Sequence, residues 1–178
     1  MNIFLFAKNI TRNINKTKKL LWSAMPILDD LKTLPHFIES GQKLMGLDLG
    51  TKTIGLAVSD TMFKIATPLE TIKRTKFTKD TQALREFEAS HNIGALVIGL
   101  PLNMDGSEGP RVQASRAFAR NLLQQKDQPI VFWDERLSTS AVTRTLIDAD
   151  MSRAKRADVV DKMAAAYILQ GVLDLLNN

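Results

Sequence analysis

The sequence predicts a mixed α/β domain: a five-stranded sheet, its first three strands antiparallel and its last two parallel, flanked by helices. Three observations predict it. Three strand-like runs (44–49, 53–59 and 64–72) follow one another closely around Gly50-Thr51-Lys52, as in a hairpin-led sheet. Two wholly apolar runs, 95–100 and 130–133, have the composition of strands buried on both faces. Helical spacing fills the gaps between and after those runs, which is the signature of βαβ units. A chain of 178 residues fits one such domain.

Taken in order, 26–32 reads as a short helical stretch, followed by Pro35 and Gly41, so that 1–43 is an extension and lead-in and 44–178 the folded domain. After the hairpin and third strand, 78–91 has helical spacing through Leu84, Phe87 and Ala89 and stops at Asn92 and Gly94. The apolar run 95–100 is stopped by Pro101, and 103–110 is rich in turn formers. Val112, Phe118 and Leu122 mark a helix over 111–125, Pro129 opens the strand 130–133, and 139–149 and 159–176 read as the last two helices. Trp133 lies inside a strand and reads as core.

Composition narrows the function. With 44% hydrophobic residues, the chain can bury a core. The absence of cysteine excludes disulfides, thiolate metal sites and cysteine nucleophiles, and two histidines (His36 and His91) are too few for an imidazole zinc site. Residues 1–24 hold five of the 24 basic side chains and none of the 19 acidic ones, so the remainder is electrically balanced. Nucleic-acid binding must therefore rest on local patches. The tail could be a targeting peptide, a membrane-surface helix or an arm on nucleic acid; the plainer reading is that translation starts at Met25, with 1–24 either untranslated or an unstructured extension. No run approaches the roughly 18 apolar residues of a membrane span, and the chain reads as soluble and cytoplasmic.

Three acids are set where a solvated charge is out of place. Asp48 ends a strand and shares a face with Leu44 and Gly46 by alternation. Glu135 follows an apolar run at the exit of another central strand, where ligands of open α/β sheets gather. At about 100° per residue, Asp161 falls at the centre of a helical stripe of Ala164, Ala165, Ile168, Val172 and Leu175, with Asp158 on its edge. Buried carboxylates are costly unless neutralised, paired or metal-bound. A histidine-free, cysteine-free oxygen set suits one or two hard Mg²⁺ or Mn²⁺ ions. Two ions roughly 3.5–4 Å apart can activate water and steady the leaving oxygen of a phosphodiester. The same acids have plainer readings: Asp48 capping a turn, Glu135 paired with Arg136 or Arg144, Asp158 and Asp161 beginning a helix.

Four ordered blocks carry a resemblance. Met45-Gly46-Leu47-Asp48-Leu49-Gly50-Thr51-Lys52-Thr53-Ile54-Gly55-Leu56-Ala57 resembles the opening signature of the YqgF/RuvX family of bacterial nucleases. Ile98-Gly99-Leu100-Pro101-Leu102-Asn103-Met104-Asp105-Gly106-Ser107 resembles its second block and Asp134-Glu135-Arg136-Leu137-Ser138-Thr139 its third. Val160-Asp161, with Ala164-Ala165-Ala166 and Ile168-Leu169, resembles its last. The resemblance implies an RNase H-like fold related to RuvC-type junction resolvases, and the family's assigned role in processing the 5′ end of pre-16S ribosomal RNA in the cytoplasm. By motif, Asp48, Glu135 and Asp161 match the family's acidic triad, as catalytic residues and metal ligands. Asp158 resembles one of the paired C-terminal aspartates of RuvC-type resolvases. Ser140-Ala141-Val142 stands where many members have a glutamate, so no acidic helper is expected there.

Around these acids, Thr51 and Lys52 could present a turn to a phosphate, Asn103 sits in a loop beside the expected site, and Arg136 adjoins Glu135. Arg153, Lys155 and Arg156 flank it as the best candidates for phosphate contacts. Further basic clusters are Lys73, Arg74, Lys76 and Lys79, and Arg111, Arg116 and Arg120. The expected partner is nucleic acid, pre-rRNA or branched DNA, with no membrane; monomer and homodimer are both compatible. The leading expectation is a metal-dependent RNA endonuclease. The alternatives are a four-way DNA junction resolvase and a non-catalytic nucleic-acid-binding factor. Asp48-Leu49-Gly50-Thr51 also resembles the first phosphate motif of actin-like kinases and ATPases, but the duplicated halves and second phosphate loop of those proteins have no counterpart here.

Overall fold

Residues 43–59 fold as the expected hairpin. Strand β2 (Lys43–Leu49) pairs antiparallel with β3 (Thr53–Ser59) in a register that sets Leu49 opposite Ile54 and Asp48 opposite Gly55. The computed structural model describes residues 27–137 and 153–178, with the backbone alone at 137 and 153–159. Beside the hairpin, β1 (Ile27–Leu28), β4 (Ala66–Lys73), β5 (Ile93–Leu100) and β6 (Ile130–Asp134) complete one sheet in the order β1-β6-β5-β2-β3-β4. The pairs β2·β5, β5·β6 and β6·β1 are parallel, and β3·β4 is antiparallel. Strands β2, β5 and β6 thus all end at the same edge of the sheet, where β3 begins.

Alternation along the strands divides the core. Met45, Leu47, Ile54 and Leu56 pack with Leu84 of α1 (Phe77–Ser90) and with Phe118 and Leu122 of α2 (Pro110–Gln125). On the other face, Leu44, Ala57, Val97 and Val131 pack with Ala165, Ile168, Leu169 and Val172 of α3 (Arg153–Asn177). Each fully buried aliphatic contributes about 1.5–3 kcal/mol, so the position of α3 over the sheet is fixed by its apolar side chains. Asp48 follows Leu44 and Gly46 on the α3 face, as alternation requires.

Several elements differ from expectation. The sheet has six strands among the described residues, where five were expected: Ile27–Leu28 pairs with Ile130 and Val131 of β6. The stretch expected to be helical over 26–32 is instead this strand followed by a 3₁₀ helix, Leu31–Phe37, begun by the Asp30 carboxylate accepting from the Lys32 N–H at 2.9 Å. Pro35 lies inside it and Leu34 is fully buried against α3's cluster, so the lead-in contributes to the core. The third strand begins at Ala66, because Asp60 Oδ1 accepts from the N–H groups of Lys64 (2.7 Å) and Ile65 (3.0 Å) and holds them in the turn. Pro68 is accommodated because β4 is an edge strand. The last helix begins earlier than 159, at Arg153, and the helix expected over 139–149 lies outside the described residues.

The apolar stripe of α3 is also rotated. Ala165, Ala166, Ile168, Leu169, Val172 and Leu173 are buried, whereas Ala164 and Leu175 are only half-buried. At about 100° per residue the stripe's centre lies some 60° from Asp161, which therefore sits at its edge, half-buried. Met163 and Leu173 blur the periodicity in sequence. Packing resolves it, because the sheet admits Leu173.

Candidate active site

The acids gather at the edge where β2, β5 and β6 end. Asp48 is the penultimate residue of β2, and Glu135 opens a 3₁₀ turn (Glu135–Leu137) immediately after β6. The strand between them is β5, and the strand on Asp48's other side is β3. Two glycines make room for the acids. A Cβ at Gly99 of β5 would overlap the Glu135 carboxylate and the Ile168 side chain. At Gly55 of β3, which pairs with Asp48, a Cβ would overlap the backbone carbonyl of Asp161. Helix α3 therefore approaches the sheet beside Asp48 because Gly55 has no side chain. The hairpin register, counted outward from the turn, could have shown Gly55 facing Asp48; nothing in the sequence shows Asp161 lying over it.

The electrostatics follow from this crowding. Burial, then the charge of Asp161, pushes the Asp48 carboxyl up to about 6, while Arg111 pulls it down. Burial, then Asp48, pushes Glu135 up to about 7, with Asp134 adding to the rise and Arg111 opposing it. Asp48 is thus coupled to both other acids. The donor set, in which Asp161 raises the proton affinity of Asp48 and Asp48 that of Glu135, is of the chemistry that a hard divalent cation stabilises. Among the described residues, however, no three His, Asp or Glu side chains converge closely enough to enclose an ion. The expectation of a single meeting point is met only pairwise, with Asp48 central. The Asp158 side chain lies outside the described residues.

Of the other expected site residues, Thr51 and Lys52 are exposed in the β2–β3 turn. Asn103 lies in a closed turn after β5, where its Nδ2 donates to Ser107 Oγ at 2.9 Å and its carbonyl accepts from the Gly106 N–H at 2.8 Å. Arg136 pairs with Asp134, its Nη2 2.6 Å from Oδ2 and its Nε 3.0 Å from both carboxylate oxygens. That pair holds Asp134 below the usual carboxylate range. It also takes up the donors expected for Glu135 or a phosphate. The side chains of Arg153, Lys155 and Arg156 lie outside the described residues. Trp133 is half-buried against the α3 cluster, as expected for a core residue. Arg111, at the start of α2, was singled out in sequence only as part of a basic cluster; its reach toward Asp48 and Glu135 depends on how α2 docks.

A family model described as "RuvX: Holliday junction resolvase" matches residues 42–175. A relative from Methylocella silvestris is 65% identical over 147 residues, covering 83% of this chain and 91% of its own length. Another, from Paramagnetospirillum magneticum, is 60% identical over 150 residues, covering 84% and 96%. Both bear the name "Putative pre-16S rRNA nuclease". Among solved structures, T. thermophilus RuvC in complex with Holliday junction substrate is 11% identical with a TM-score of 0.50, over 77% of this chain and 97% of that one. That likeness is one of fold, the RNase H-like arrangement the sequence blocks implied. On the family match and the high identity of these relatives, the chain belongs to the RuvX family.

Proposed function

We propose that this protein is a metal-dependent endonuclease that hydrolyses RNA phosphodiester bonds and processes the 5′ end of pre-16S ribosomal RNA in the cytoplasm. The observation that carries the reading is the coupling of Asp48 to both Asp161 and Glu135 where the parallel strands end. The names of the family's relatives supply the substrate. Asp48, Glu135 and Asp161, with Asp158 three residues ahead of Asp161, would hold Mg²⁺ or Mn²⁺. The chemistry such an ion supplies is activation of water and neutralisation of charge on the leaving oxygen.

The protein's own residues set the conditions for that. With proton affinities displaced to about 6 and about 7, Asp48 and Glu135 exchange protons near neutrality. The Arg111 charge favours their ionised forms. Gly55 and Gly99 let the acids approach by leaving space where a Cβ would overlap the Asp161 carbonyl and the Glu135 carboxylate. Arg136, paired with Asp134, shields the neighbouring carboxylate and braces the 103–107 turn through the Met104 carbonyl, 3.5 Å away.

Asp48→Asn is expected to reduce Mg²⁺-dependent cleavage of a structured pre-rRNA substrate to background while RNA binding persists. Full activity in that variant overturns the assignment. The family description favours a second reading, resolution of four-way DNA junctions. Cleavage of a synthetic junction and of the RNA precursor, measured side by side, separates the two: exclusive junction cutting reverses the order. RNA binding with no metal-dependent cleavage of either substrate would make the protein a non-catalytic factor.

A further inference from the structure

Beside the acids, a cleft opens between the β2–β3 turn and helix α2, lined by Thr51, Arg74, Arg111 and Ser115 over an apolar floor that includes Leu49 and Phe118. No carboxylate lines it. Arg111 and Ser115 stand four residues apart on one face of α2. Ser115 is 3% exposed as a residue and lines the cleft. A cleft lined by two arginines and a hydroxyl, with no carboxylate on its walls, suits an anion.

The arginines of the molecule divide in the same sense. Arg85, Arg116 and Arg136 are each paired with a carboxylate: Glu88 at 2.7 Å, Glu108 at 2.5 Å and Asp134 at 2.6 Å. Arg111 has no ion pair or side-chain hydrogen bond among the described residues. Arg74 is fixed to the turn, its N–H donating to the Lys52 carbonyl at 2.8 Å and its Nη1 to the Gly50 carbonyl at 2.7 Å. Its guanidinium carbon lies 5.9 Å from the centre of the Phe118 ring. The remaining donors of Arg74 and all those of Arg111 are available at the cleft, on a wall already rigid.

We infer that this cleft is a phosphate subsite, in which Arg111, Arg74 and the Ser115 hydroxyl hold a backbone phosphate of the nucleic-acid strand beside the acids. The inference rests on the nuclease reading for the identity of the strand, though not for the presence of the anion site. The subsite gives the strand its register: a phosphate fixed here places a neighbouring linkage against Asp48.

The test is binding of a short fluorescein-labelled single-stranded RNA, followed by anisotropy in EDTA so that no cleavage occurs. Arg111→Gln is expected to weaken binding about tenfold and to flatten the dependence of log Kd on log salt by about 0.7, the release of one counterion from a single strand. Arg111→Lys restores the salt slope. Arg120→Gln, an exposed cation on the same helix outside the cleft, serves as the control for net charge. Ser115→Val, folded by thermal melt, fills the cleft without changing charge and also weakens binding. Equal affinity and slope for Arg111→Gln and Arg120→Gln overturns the subsite, as does wild-type binding by a folded Ser115→Val. Inorganic phosphate that binds the cleft without competing with RNA would make the occupant a free anion and overturn the strand assignment. Arg111-dependent RNA binding without Mn²⁺-dependent cleavage by the wild type would sink the nuclease reading and leave the subsite standing; cleavage with Arg111-independent binding would do the reverse.

Discussion

At one end of the sheet Glu88, 3% exposed, is gripped by Arg85 at 2.7 Å and Lys126 at 2.8 Å, with Gln128 donating at 3.4 Å. Residue 128 lies just ahead of β6. At the other end, just past β6 and at the close of β2, Asp48 and Glu135 face each other and Asp161, with the Arg111 charge opposing their repulsion from outside any ion pair. Both regions bury carboxylates. One matches each with cations; the other sets like charges together. Burial of an acid is therefore not itself a sign of function, since a paired acid can simply hold a helix to a strand. A cluster of like charges, admitted by glycines, costs stability and persists only where something else requires it.

The most severe way to break the contrast is Gly55→Ala. Its methyl group would meet the Asp161 carbonyl, a backbone atom that cannot swing aside, so a loss of about 3 kcal/mol or more is expected in chemical denaturation. Any folded fraction has α3 lifted from Asp48 and reduced cleavage. Glu88→Ala should cost about 2–3 kcal/mol, because it removes the buried acceptor shared by Arg85, Lys126 and Gln128. An unchanged midpoint would show that this cluster contributes nothing.

At the other end the sign reverses. Asp48→Asn removes a charge that its neighbours repel, and is expected to stabilise the metal-free protein by about 1–2 kcal/mol at pH 8. The pH dependence follows from the same shifts. Asp48 and Glu135 bind protons more tightly folded than unfolded, so their penalty is absent below about pH 4 and complete above about pH 7. Wild-type stability should therefore fall across that window through these groups, and Asp48→Asn should flatten the fall. A variant less stable than wild type at pH 8 would contradict the repulsion. The smallest effect is that of added cation: millimolar Mg²⁺ should raise the wild-type Tm by about 2–5 °C above pH 7. It should do so much less at pH 5, and not at all in Asp48→Asn.

Much of this was legible in the residues. Hairpin, apolar strands and helices follow from spacing and turn chemistry, because local periodicity reflects which face a segment buries. The conspicuous acids were legible too, since Asp48 and Glu135 sit at strand ends where no solvent-facing role is available. The rotation of α3 was not: Met163 and Leu173 made its apolar arc ambiguous, and only contact with the sheet selects one face. The lead-in strand is not legible in sequence, because two residues have no periodicity of their own and the strand exists by pairing with β6.

The sequence by itself determined most of the segments that become strands and helices, and that Asp48 and Glu135 stand at strand ends, because these depend on near neighbours along the chain. Only the tertiary structure decided that Gly99 makes room for Glu135 and Ile168, that Gly55 admits the Asp161 carbonyl, and that Arg111 and Arg74 share a cleft. Those relations join residues dozens of positions apart. They are set by how closely backbones approach and which charge reaches which partner first, and neither is encoded in any local pattern.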